Sequence, residues 1–276
     1  MEASLQRRVQ RYGWDRAAAD YESLWQVQLA GAQSQLLASA SLAPGDRVLD
    51  VACGSGLVTF SAAHAVGPTG RILGIDLSGQ MIAAARRRAE QRQVSNASFA
   101  RMDAETLSLP DGSFDVVLCC LGLMYVPDPE KAVREMKRVL RPGGRLVISV
   151  WGERSACGWA ALFPIIDVEV SSEVCPLFFR LGQGNALARL CIETGVEIHE
   201  QHRLAATLCY ADAREACNAA FIGGPVALAW SRFDEETRAR VCQRYVEAIA
   251  AWQHDSGYRI PGEFVVVAGV ALDTTR

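Results

Sequence analysis

No stretch of this sequence runs about 18 residues without a polar or charged interruption, so no membrane-spanning helix is expected. The N-terminal MEASLQRRVQRYGWDRAAADYE lacks the apolar core of a secretory signal, and the expectation is a cytoplasmic protein. Histidine is scarce, at four residues, and no C-x-x-C pair occurs among the nine cysteines. Zinc-site spacing is therefore missing, and no metal is expected. The cysteines are odd in number and scattered, with Cys119, Cys120 and Cys191 inside apolar runs, which reads as buried free thiols rather than a disulfide framework. An excess of either charge is lacking too, since 28 Lys+Arg against 31 Asp+Glu gives a net charge of -3. Without a basic strip or an appended recognition domain, no nucleic-acid partner is expected. No internal repeat or low-complexity tail is present.

What is present is core-forming material. Half of the 276 residues are hydrophobic and 21% are charged, as in an ordinary soluble domain. Residues 1–43 read as a helical cover, with Tyr12, Trp14, Tyr21, Leu24, Trp25, Leu29 and Leu36 at helix-like intervals. From Val48 the chain alternates between short apolar strands and helices: RVLDVA, RILGIDL, NASFARMDA, SFDVVLCCLGL and RLVISVW read as five strands. Strands separated by helices require right-handed parallel crossovers, so residues 44–151 predict an α/β, Rossmann-like doubly wound core. Residues 152–276 read as the remainder of the sheet, with lid insertions at about 152–183 and 211–254, all within one structural domain.

The chemistry gathers at the strand ends. VLDVACGSG closes the first strand, and Gly54 and Gly56 allow a sharp turn that also lets a ligand reach backbone amides. Alone, this could equally be a bare turn. Asp76 ends the second strand twenty residues after Gly56, where a nucleotide-binding fold places an acid on the ribose hydroxyls. Thr59 occupies the third small position of a dinucleotide fingerprint, which disfavours a dinucleotide. Asp50, Asp76 and Asp103 on consecutive strand ends repel a pyrophosphate but suit a cation bearing hydroxyl and amino groups, as S-adenosyl-L-methionine does.

The ordered set VLDVACGSG, GIDLS, RMDAETLSLPDGSFDVVLC and LRPGGRLVIS resembles the class I S-adenosylmethionine-dependent methyltransferases. Within them it is most similar to the small-molecule group that includes the ubiquinone/menaquinone biosynthesis enzymes. The resemblance covers roughly Val48 to Trp151 and implies a seven-stranded sheet whose last strand, EFVVVAGVAL, enters antiparallel. By that resemblance Asp50, Ala52, Gly54 and Gly56 surround the methionine part of the cofactor and Asp76 holds its ribose. Leu77 and Met81 flank the adenine, Asp103 and Ala104 meet its edge, and Leu121 lies beneath the methionine. Ala52 stands where many relatives carry glycine. Tyr21 is the candidate for an N-terminal residue that touches the cofactor, with Trp14 second, although both could simply pack their helix.

The implied activity is methyl transfer to a small, apolar or aromatic metabolite by in-line displacement. Alternatives are a non-methyl-transfer reaction of cyclase or lyase type on the same fold, or a non-catalytic cofactor-binding module. Catalytic candidates are weak: Tyr125 could orient an acceptor, and His199 or His202 could serve as a base. A spacing of three puts the two histidines on opposite strand faces, so at most one could reach a site. Trp159, Phe163, Phe178, Phe179, Tyr210, Phe221 and Trp230 line an acceptor lid, build that lid's own core, or form a homodimer contact.

Overall fold

The computed structural model describes residues 3–170, 175 and 177–272, so positions 171–174 and 176 of the first expected insertion lie outside the described residues. Two helices, α1 (Ala3–Ala17) and α2 (Tyr21–Ala40), precede the sheet. The alternating core follows as β1 (Arg47–Val51), α3 (Leu57–Val66), β2 (Arg71–Asp76), α4 (Gly79–Gln91), β3 (Ala97–Arg101), β4 (Phe114–Cys120), α5 (Pro129–Val139) and β5 (Leu140–Trp151). Beyond it come α6 (Leu162–Val170), α7 (Ala186–Glu193), β6 (Val196–Tyr210), α8 (Ala213–Phe221), α9 (Ala227–Trp230), α10 (Glu235–Ala248), β7 (Gln253–His254) and β8 (Gly257–Ala271).

Local chemistry sets the helix starts. Ser78 Oγ accepts from Met81 N at 3.1 Å to cap α4, and Asp128 Oδ1 accepts from Lys131 N at 3.0 Å to cap α5, where Pro129 follows at the first helical position. The strands β1 and β4 are buried along nearly their whole length, because helices cover both faces of a parallel sheet. The strand order is β3-β2-β1-β4-β5-β8-β6, with the two-residue β7 paired to β8. β8 runs antiparallel to both β5 and β6, which is the expected reversed last strand. β5 begins at Leu140, earlier than the sequence pattern suggested, because Arg141-Pro142-Gly143-Gly144 belongs to the strand.

The order of strands reverses between β1 and β4, and such a reversal opens a crevice beyond their carboxyl ends. The residues that leave these strands, Ala52 and Leu121, adopt φ of 56 and 57, unusual for side chains other than glycine. Leu121 is held there by its N–H, which donates to Ser149 O at 2.9 Å and Ser149 Oγ at 3.2 Å. The two turns touch: a Cβ built on Gly122 would stand 2.4 Å from the Ala52 Cβ. The methyl group at position 52 is accommodated because Gly122 has none. Gly122→Ala is expected to lower stability by about 1–3 kcal/mol through overpacking. Ala52→Gly in the same chain should restore most of that loss, measured as the urea midpoint; no restoration would sever the coupling.

Candidate active site

The carboxyl ends of β1 to β4 form the floor of a partly open cleft. Val51, Ala52 and Gly54 follow β1, and Ile75, Asp76 and Leu77 follow β2, with Met81 rising from α4. Met102, Asp103 and Ala104 come from the end of β3, and Cys120, Leu121 and Gly122 from β4. The roof comes from the N-terminal helices through Arg7, Gln10, Trp14 and Tyr21, with Tyr125 closing one side.

Asp76 is already engaged by backbone. Its Oδ2 accepts from Gly54 N at 2.9 Å and its Oδ1 from Ser78 N at 2.8 Å, so it ties the β1 turn to the start of α4. Each oxygen keeps acceptor capacity for a ligand hydroxyl. Burial raises its pKa to about 6, against the lowering effect of those backbone donors. Asp50 lies deeper: Thr59 Oγ1 donates to its Oδ2 at 2.5 Å, while its Oδ1 is buried without a partner. Desolvation pushes Asp50 up to about 7, with the neighbouring Asp76 charge adding to the rise. A buried, unpaired carboxylate oxygen calls for a cationic or N–H-bearing ligand.

Charged contacts hold the roof in place. The Arg7 guanidinium hydrogen-bonds Glu105, and its Nε stands 3.4 Å from Asp103. Asp15 Oδ1 accepts from Ser78 Oγ at 2.6 Å and from Gln80 N at 3.1 Å, at the first turn of α4. Glu22 pairs with Arg88 at 2.6 Å and with Arg92 at 3.5 Å.

A second, smaller cavity adjoins the cleft and shares Trp14, Tyr21, Leu121 and Tyr125 with it. Its remaining walls are Trp25, Leu29, Met124, Trp151, Trp159, Gly224 and Pro225. Trp14 meets Tyr21 and Tyr125 edge-on at 5.6 and 5.2 Å, so these rings stand between the two spaces. Burial, the largest cause, drives the phenol pKa values of Tyr21 and Tyr125 well up, so both remain protonated at neutral pH.

Tyr21, Ala52, Gly54, Asp76, Leu77, Met81, Asp103, Ala104 and Leu121 therefore line one cleft, with Tyr125 at its side. Asp50 lines a smaller hollow at the same end. Gly56 is outside both linings: it caps α3 at φ 94, and a Cβ there would meet the Phe60 ring at 2.7 Å, so backbone conformation and packing both favour glycine. His199 and His202 are on β6 at the far edge of the sheet. The pairing register shifts between Ile198 and Glu200, which places His199 at a bulge and breaks the simple alternation assumed from their spacing. His202 bonds Glu200 Oε2 at 3.1 Å, and neither histidine lines the cleft or the second cavity.

Of the seven lid aromatics, Trp159 alone reaches the second cavity. Phe163, Phe178 and Phe179 pack around Trp159, and Phe221 stacks on Trp230 at 4.9 Å, so these rings serve the core. Arg7, Gln10 and Trp25 were not anticipated as lining residues. One signal was available: α1 buries Gln6 and Gln10 while exposing Leu5 and Tyr12, the reverse of an ordinary amphipathic helix.

The fold and site define a class: the chain belongs to the class I S-adenosylmethionine-dependent methyltransferases. The methyltransferase domain family matches residues 42–171. The ubiquinone/menaquinone biosynthesis C-methyltransferase UbiE of Ectopseudomonas mendocina is 36% identical over 187 residues, covering 67% of this chain and 72% of that protein. An uncharacterized 37.1 kDa protein in transposon TN4556 of Streptomyces fradiae is 38% identical over 171 residues, 60% of this chain. The match spans about half, 48%, of that relative's length. Among solved structures, the [4+2]-cyclase SpnF superposes with a TM-score of 0.61 at 22% identity, covering 92% of this chain and 85% of that one, a likeness of fold alone. The residues present fit the family's cofactor, S-adenosylmethionine: a glycine turn open to backbone approach, an orphaned buried carboxylate oxygen and two further strand-end acids.

The raised Asp50 pKa has a consequence for stability. The folded chain keeps this proton up to about pH 7, whereas an unfolded carboxyl releases it near pH 4. Asp50 thus costs stability as pH rises through that window. Asp50→Asn should be more stable than wild type at pH 8, by up to about 4 kcal/mol, and the gap should shrink toward pH 4 in urea unfolding. A gap independent of pH would show that Asp50 is not desolvated.

Proposed function

We propose that this chain moves the sulfonium methyl of S-adenosylmethionine to a small, apolar or aromatic acceptor held in the second cavity. The observation that supports this is the aromatic-walled space adjoining the cofactor cleft and separated from it by Trp14, Tyr21 and Tyr125. When bound, S-adenosylmethionine supplies an already activated leaving group at sulfur. The chain's share is alignment and exclusion of water.

Asp76 would receive the ribose hydroxyls, Leu77 and Met81 would flank the adenine with Asp103 and Ala104 at its edge, and Ala52, Gly54 and Asp50 would hold the amino-acid end. Leu121 and Gly122, held close to the β1 turn, would form the floor where donor and acceptor meet. Tyr125, protonated at neutral pH, would orient an acceptor by donating its O–H rather than by removing a proton. Cys120 lines the same floor, but burial pushes its thiol up to about 12, so it does not compete as a thiolate nucleophile.

Methyl-labelled S-adenosylmethionine incubated with a panel of small phenols, quinols and terpenoids should give label in an organic-extractable product. Turnover of an acceptor without label transfer would instead support the cyclase or lyase reading. Asp76→Ala should weaken S-adenosylhomocysteine binding by roughly tenfold or more in calorimetry, as expected for loss of charged hydrogen bonds. Tyr125→Phe should raise acceptor KM several-fold with the cofactor Kd unchanged; a change in Kd alone would reassign Tyr125 to the cofactor.

A further inference from the structure

We propose that Gln33 on α2 is a further cofactor-binding residue, whose side-chain amide donates to the carboxylate of the methionine moiety. With Asp50 and the first turn of α3 it completes a receptor for a zwitterion. The inference rests on the cofactor reading given above.

A small hollow opens off the β1 end of the cleft. It shares Tyr21, Gly54 and Leu121 with the cleft, and it adds Asp50 and Gln33. Asp50 is 1% exposed, and its unpaired Oδ1 suits an ammonium group. The other end of an amino-acid moiety is an anion, and beside Asp50 and Asp76 that anion is repelled unless N–H groups face it. No lysine or arginine lines this hollow among the described residues. The one arginine lining the main cleft among the described residues, Arg7, is engaged by Asp103 and Glu105 at the β3 end.

Neutral donors must therefore serve. The ten-residue α3 starts at Gly56 without a side-chain cap, leaving its N-terminal N–H groups free of one, and Leu57 and Val58 of that turn line the hollow. Gln33 is half-buried on α2 and supplies the side-chain amide at this wall. Its neighbours on the helix are committed elsewhere: Gln28 Nε2 donates to Cys209 O at 2.6 Å, and Gln35 Nε2 donates to Ser39 Oγ at 3.2 Å. Gln33 makes no such bond with another described residue. An uncharged clamp answers the carboxylate without forming an ion pair that would quench Asp50.

Calorimetric titration of S-adenosylhomocysteine and of 5′-methylthioadenosine, which lacks the amino-acid moiety, separates this role from packing. Gln33→Ala should weaken S-adenosylhomocysteine about tenfold and leave 5′-methylthioadenosine within about twofold. Gln33→Glu should weaken S-adenosylhomocysteine further, because it adds a carboxylate facing a carboxylate. Equal weakening of both ligands by Gln33→Ala, or unchanged binding of S-adenosylhomocysteine, would overturn the proposal while leaving the cofactor assignment intact. Wild-type protein that binds neither ligand would overturn the cofactor reading and Gln33's role together.

Discussion

Two carboxylates, the buried Asp50 and the half-buried Asp76, sit toward the ends of adjacent parallel strands, and much of the surrounding architecture answers their cost. Asp76 is offset by two backbone N–H groups, from Gly54 and Ser78, and this requires the β1 turn and the start of α4 to converge on it. Asp50 is offset only on one oxygen, by Thr59 at the first turn of α3. The unusual backbone at Ala52, Gly54 and Leu121 follows from bringing these groups together. Such strain and such orphaned atoms persist where a ligand completes them.

The N-terminal helices convert this strand-end crevice into an enclosed site. Their charged contacts fall on acids of the core and on both ends of α4: Arg7 on Asp103 and Glu105, Asp15 on the N-terminus of α4, and Glu22 on Arg88 and Arg92 at its C-terminal end. α1 therefore turns its polar residues inward. Exposed ion pairs contribute little to stability, but Glu105 is 1% exposed, so its contact with Arg7 specifies where α1 lies.

The aromatic residues divide into two roles that their identities do not reveal. Trp14, Tyr21 and Tyr125 stand between two spaces, while Phe163, Phe178 and Phe179 buttress Trp159 from behind. Trp25, Trp151 and Trp159 come from three separate elements and form one wall, with Trp25 held by its N–H donating to Ala219 O at 3.2 Å. The site's shape depends on packing that unites residues more than a hundred positions apart.

The strand ends, the glycine-bearing turn and the parallel crossovers were legible in the chain, because each follows from patterns a few residues long: buried apolar runs, caps and turn residues; the reversed last strand was implied by the family resemblance instead. The positions of Asp50, Asp76 and Asp103 along β1 to β3 follow from the same local regularity. What local pattern could not supply was orientation. The bulge at His199 broke an alternation that looked certain, Gly56 stands against the Phe60 ring at the start of α3, and Gln33 was indistinguishable from the other glutamines of α2. The sequence by itself determined a parallel α/β core with three acids at its strand ends, because hydrophobic periodicity and turn chemistry are local. Only the tertiary structure decided which faces of α1 and α2 close the cleft and which aromatics wall the second cavity, because those choices rest on long-range packing and ion pairing that no short segment encodes.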